Sequence, residues 1–109
     1  MIEQRLIVRI VAAQVNTIGD EANETVILIN TTPQPINLDG WKLLDTQKHQ
    51  KPLGGVLKPG EPLVVHVRPE VQLSNTGGII SLVNGNNIKI DGVSYTREQA
   101  SVEGRTIVF

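Results

Sequence analysis

Glu24-Thr25-Val26-Ile27-Leu28-Ile29-Asn30 is the stretch on which the fold turns. Aliphatic and β-branched side chains occupy odd and even positions alike, so both faces of this segment read as covered strand. Thr31-Thr32-Pro33-Gln34-Pro35 then ends it, because proline has no N–H to give to a central ladder. Upstream, Leu6, Val8, Ile10 and Ala12 alternate with Arg5, Ile7, Arg9 and Val11, the two-residue period of a half-buried strand. Downstream, Ile36, Leu38, Trp41, Leu43 and Leu44 make a strand broken at Asp39-Gly40, a pair suited to a tight turn. Leu63-Val64-Val65-His66-Val67 is a further strand, bounded by Pro62 and Pro69.

The last third continues in the same way. Ile79 to Val83, the turn-forming Asn84-Gly85-Asn86-Asn87 and Ile88 to Tyr95 read as a hairpin. Ile88 and Ile90 share one face, but Val93 and Tyr95 fall out of phase with them. The register therefore predicts a β-bulge at Asp91-Gly92 that turns all four inward. Thr96 is placed to cap a short helical turn through Glu98, Gln99 and Ala100, with Gly104 as its stop. Arg105 to Phe109 reads as a final strand with Phe109 buried as the natural C-terminus. Short strands separated by Gly, Pro and Asn, with no long helix, predict an all-β antiparallel sandwich or barrel.

With 109 residues the chain suits one domain, 1–109, which buries about two-thirds of its unfolded surface. It is either a complete small protein or the last domain of a longer one. A net charge of -1 with 19% charged residues gives no broad field for phosphate backbones or anionic lipids, so nucleic acid is not an expected partner. Aromatic residues are 3% of the chain, too few to offer stacking platforms for bases or sugars. The chain has no cysteine, so stability rests on burial and hydrogen bonding; this fits a reducing compartment without excluding bacterial export. No apolar run reaches the ~20 residues of a membrane helix, and Met1-Ile2-Glu3-Gln4-Arg5 lacks the apolar stretch of a signal peptide, which favours a cytoplasmic location.

No arrangement of residues carries a strong chemical signature, and no catalytic or cofactor-binding residue is assigned. His49 and His66 are the only imidazoles, fewer ligands than a zinc site recruits. His66 reads as a solvent-facing strand residue and His49 as a solvated loop residue. A triad of Asp45, His49 and Ser94 can be composed on paper, but such a set is defined by geometry and most chains of this size offer one. Gly55-Val56-Leu57-Lys58-Pro59-Gly60 has the glycine spacing of a phosphate loop, yet Glu61-Pro62 stand where Lys and Ser or Thr are needed. Asp20, Glu21, Asn23 and Glu24 gather oxygen ligands of the kind calcium takes, without the regular EF-hand spacing, and a plain acidic turn is the competing reading. Asn23-Glu24-Thr25 and Asn30-Thr31-Thr32 match the glycan acceptor pattern and read as strand ends. Arg5 and Arg9 share a strand face and seed at most a small basic patch. Trp41 reads as a core ring.

Three stretches together resemble the lamin tail domain, the immunoglobulin-like module at the C-terminal end of nuclear lamins that also occurs in many bacterial proteins. They are Glu24 to Asn30 followed by Ile36-Asn37-Leu38-Asp39-Gly40-Trp41-Lys42-Leu43; Leu57-Lys58-Pro59-Gly60-Glu61; and Leu73-Ser74-Asn75 through Ile90-Asp91-Gly92-Val93-Ser94-Tyr95. The Leu-Asp-Gly-Trp and Asp-Gly-Val-Ser-Tyr steps carry most of the likeness. The chain departs from the family at Thr25 and Ile27, where an aromatic residue and a second acid are usual, so a surface built there differs. Thr96 to Phe109 is more similar to the ending of bacterial two-domain proteins of uncharacterised function, in which the module follows a separate N-terminal domain. The resemblance implies an immunoglobulin-like sandwich used for interaction or tethering, with no catalytic residue or cofactor to carry over. Lamin's nuclear partners do not transfer, because the surface residues that contact them are not matched. The expected partner is another protein or an attached N-terminal domain. The alternatives are homo-oligomerisation through an edge strand, for which Leu6 to Ala13 and Arg105 to Phe109 are candidates, and a loop that binds calcium or nucleic acid.

Overall fold

The computed structural model describes residues 7–19 and 23–109. Its strands are β1 (Val8–Gln14), β2 (Thr25–Asn30), β3 (Ile36–Asn37), β4 (Lys42–Leu44), β5 (Gln50–Pro52), β6 (Val56–Leu57), β7 (Pro62–His66), β8 (Gly78–Val83), β9 (Lys89–Tyr95) and β10 (Ile107–Val108), with one helical turn, α1 (Arg97–Ala100), before the last. Two four-stranded antiparallel sheets, ordered β10-β1-β2-β7 and β5-β4-β8-β9, form the layers, and β3 pairs with β6 as a small separate ribbon.

Alternation of side chains on each strand fills the space between the layers. Val8, Ile10, Val26 and Leu28 point inward from the first sheet and Leu43, Ile80 and Leu82 from the second, all fully buried. Each contributes about 1.5–3 kcal/mol by leaving water. Trp41 lies in the same cluster. It is delivered there by the Asp39-Gly40 turn, in which the Trp41 N–H donates to the Leu38 carbonyl at 3.0 Å. Gly40 takes φ +84°, a conformation costly for any residue with a Cβ. Asp39 Oδ1 accepts from the Gly55 N–H at 2.9 Å and anchors the ribbon beside the turn.

Asn30 ends β2 as a buried hub. Its Nδ2 donates to the carbonyls of Gln34 and Leu57, while its Oδ1 accepts from the N–H and hydroxyl of Thr32. The Asn30-Thr31-Thr32 acceptor pattern is thus occupied by turn architecture. The phosphate-loop likeness fails in a similar way: Glu61 folds back so that its Oε1 accepts from the Lys58 N–H, and Val56–Leu57 is strand β6.

Several expectations need correction. The bulge in β9 falls one residue earlier than the register predicted. Leu82 pairs with Asp91 and Val83 with Lys89, leaving Ile90 as the extra residue. Consequently Ile90 and Asp91 are both buried and Ile88 is exposed, so the four apolar residues do not all turn inward. A second bulge, at Val11 in β1, is absent from the alternation pattern: Ile10 pairs with Leu28 and Ala12 with Ile27. Phe109 is half-buried rather than buried, and its N–H donates to the Val11 carbonyl at 2.9 Å. The helical turn stops at Ala100, short of Gly104, although its cap is as expected. Thr96 accepts from the Gln99 N–H and Gln99 reaches back to the Thr96 N–H. Leu6 to Ala13 is not an edge along its whole length, because β10 covers Ala12 and Ala13; β10 itself is the edge.

Candidate functional site

Two places concentrate features that a function needs. One is a polar cleft of about 430 Å³ at one end of the sandwich, between the Asp45–Gln47 turn and the Gln72–Gly77 loop. The other is the outer face of the first sheet.

Asp45 organises the cleft. Its side chain is 4% exposed, and both oxygens are committed. Oδ1 accepts from the N–H groups of Gln47 and His49, each at 2.9 Å, and Oδ2 accepts from His49 Nδ1 at 2.8 Å and the Gln72 N–H at 3.1 Å. Burial alone works to raise its pKa. The Gln72 and His49 hydrogen bonds and the His49 charge outweigh this and hold the carboxyl below the ordinary aspartate value. The acid at position i and the imidazole at i+4 make a short loop close on itself.

Glu24 is also turned inward. Its Oε1 accepts from the Leu73 N–H at 2.9 Å and lies 3.6 Å from Arg68 Nε. Tyr95 completes the clasp by donating its hydroxyl to the Ser74 carbonyl at 2.7 Å. Burial, followed by the charges of Glu24 and Asp45, pushes its pKa up to about 12. Three side chains from separate elements therefore spend their polarity on the backbone of one loop, Gln72 to Ser74. Groups committed in this way are not free to activate a nucleophile or a water.

Of the paper triad, the structure joins Asp45 to His49 but not His49 to Ser94. Ser94 stands on β9 opposite Ile79 and shares no hydrogen bond with either residue. His49 is half-exposed yet paired, which its reading as a simple solvated loop residue missed. The Asp-x-x-x-His spacing was the available signal. His66 is exposed on β7, as expected. Of the four oxygen donors considered for calcium, Asp20 and Glu21 lie outside the described residues, Asn23 is exposed, and Glu24 holds Leu73. Among the described residues no three His, Cys, Asp or Glu gather as a metal site. Arg5 lies outside the described residues, and Arg9 Nε sits 3.5 Å from Asp91 Oδ2. Also among the described residues, no helix is long and apolar enough to cross a membrane.

The outer face of the first sheet is of a different character. Register aligns Val108, Ala12, Ile27 and Val64 in one row across β10, β1, β2 and β7. Val108 is 75% and Val64 50% exposed, with Ile27 half-buried between them. The neighbouring row is Arg9, Ile29 and Pro62, and the row on the other side is Gln14, Thr25 and His66. Aliphatic side chains thus recur on all four strands, exposed at Val108 and Val64 with Ala12 buried between them, and Arg9, Gln14, Thr25 and His66 lie to either side. Ile27 and Thr25 both lie on this face.

A family model described as the Lamin Tail Domain matches residues 6–97. None of the curated proteins compared matches the chain.

Proposed function

The chain belongs to the lamin tail domain family, an immunoglobulin-like module without catalytic chemistry, and from that premise we propose that it docks or tethers another protein through the outer face of the β10-β1-β2-β7 sheet. The observation that carries this reading is the aliphatic row Val108–Ala12–Ile27–Val64. Aliphatic side chains left in water on a sheet face, with Arg9, Gln14, Thr25 and His66 to either side, have the composition of an interface core and rim. The polar cleft supports the reading from the other side, because its carboxylates are used up in holding a loop.

The test is a photo-reactive residue at position 108 in the full chain, activated in the producing cell. A discrete cross-linked partner is expected, and Val64→Glu, in a chain with an unchanged circular dichroism spectrum, removes it. Cross-linking that survives Val64→Glu overturns the reading.

A second reading, self-association, draws on the edge of the same sheet. β10, which pairs only with Ala12 and Ala13 of β1, is the outermost strand of that sheet and has no ladder partner on its other side among the described residues. A cross-linked product at twice the chain's mass identifies this case.

A further inference from the structure

The outer face of the other sheet carries a groove of about 330 Å³ whose floor is aliphatic and whose cations lack acidic partners. Along β8 the alternating residues Ile79, Ser81 and Val83 face outward, with Leu44 of β4 beside Ser81. Ile79 is 48% exposed. From Ile79 to Val83 this floor runs about 13 Å at strand spacing.

Three lysines lie along it. Lys42 and Lys89 flank Val83 in the β4-β8-β9 register, and Lys48 lines the end near Ile79. Lys89 lies back across Gly92, which pairs with Ser81 at the middle of the groove. Any Cβ at Gly92 would overlap the Lys89 side chain, so glycine leaves the room in which that chain rests. Lys48 is held at φ +66°, an unfavourable conformation for a residue with a Cβ, by the turn that Asp45 closes. The ion pairs among the described residues are Arg9–Asp91, His49–Asp45, Lys51–Glu70 and Arg68–Glu24; none involves the three groove lysines. Asp45 borders the groove too, but its oxygens are taken by Gln47, His49 and Gln72.

We propose that this groove receives a short acidic segment of a partner protein, whose aliphatic side chains rest on Ile79 and Val83 and whose carboxylates meet the lysines along it. The charge pattern selects the occupant: Lys48 stands at the Ile79 end, Lys42 beside Val83 at the other, and Lys89 reaches back to Gly92 between them, on a chain whose net charge is -1. Nucleic acid would gain nothing from that floor, because the residues lining the groove include no ring for stacking. This surface belongs to the opposite layer from the Val108–Val64 row, and the two fail separately.

The experiment pans a random displayed peptide library against the full chain. Selected peptides are expected to intersperse Asp or Glu with Leu, Ile or Val, to weaken with rising salt, and to bind the Lys48→Glu/Lys89→Glu variant at least about tenfold more weakly. Val64→Glu is expected to leave that binding unchanged, which separates this groove from the first sheet. No enrichment of such peptides overturns the proposal, as does equal binding to the double-lysine variant. Tighter binding of a short DNA duplex or of phosphatidylserine vesicles through the same lysines also overturns it.

Discussion

The carboxylate of Asp91 accepts a hydrogen bond from the backbone N–H of Ile10 at 2.8 Å, joining the bulge of β9 in one sheet to the bulged segment of β1 in the other. The bulge at Ile90 is what brings a charged residue to the inner side, and β10, which pairs only with Ala12 and Ala13, leaves the Ile10 N–H for it. Asp91→Ala is expected to destabilise the chain by about 1–3 kcal/mol, since the Ile10 N–H is then buried without an acceptor. Asp91→Asn keeps an acceptor oxygen and should lose less. Urea unfolding, read as a lower midpoint with an unchanged slope, checks both.

Asp45 predicts an acid limb to stability. Its folded pKa lies below the unfolded value, so its stabilisation is present above the unfolded value of about 4 and is lost as pH falls through the folded one. Asp45→Asn should lower the melting temperature at neutral pH. The gap between variant and parent should close as the buffer is taken down from pH about 5 towards the folded pKa. A gap that stays constant with pH would contradict the assignment.

Tyr95 is the only tyrosine, so the phenolate absorbance of the whole chain reports it. Titration of the folded chain should give a pKa of about 12, and titration in denaturant the ordinary value. Because the folded pKa is raised, this contribution to stability is complete below the unfolded pKa and disappears as pH rises through the folded one. A folded-state titration near the ordinary value would show that the hydroxyl is not buried beside Glu24 and Asp45.

At Asn30 the amide nitrogen donates to two carbonyls. Asn30→Ala leaves the Leu57 carbonyl buried without that donor and should cost about 1–3 kcal/mol. Asn30→Asp is expected to cost more, because it offers no donor and places a charge against the same oxygens. Thermal melts of the two variants side by side decide the order.

Lys48→Gly should raise stability by about 1 kcal/mol through relief of the left-handed backbone, while weakening peptide binding in the lysine groove. A gain in melting temperature together with a loss of binding is the expected pair of results.

How far the sequence disclosed this arrangement depended on what formed each element. The long apolar strands and the Asp39-Gly40-Trp41 turn were legible because their own side chains dictate them. Gln50–Pro52 and Val56–Leu57 were not, since they become strands by pairing with β4 and β3 rather than through any pattern of their own. The bulge was foreseen but misplaced, because hydrophobic phase cannot register that the inward residue is an aspartate satisfied by a backbone donor 81 positions away. Ile27 was read from its chemistry as covered, whereas the chain spends it on an outer face. The Asp45–His49 clasp needed geometry that a polar run conceals.

The pairing of Ala12 with Val108 has a consequence for how the chain is made. The ribosome delivers β1 before every other described strand, and β1 can zip with β2 as soon as that strand has emerged. The strand that shields its other side emerges after all the others. While the rest of the domain is being made the nascent chain therefore displays an open ladder, a period in which a chaperone or a neighbouring nascent copy has first access to it.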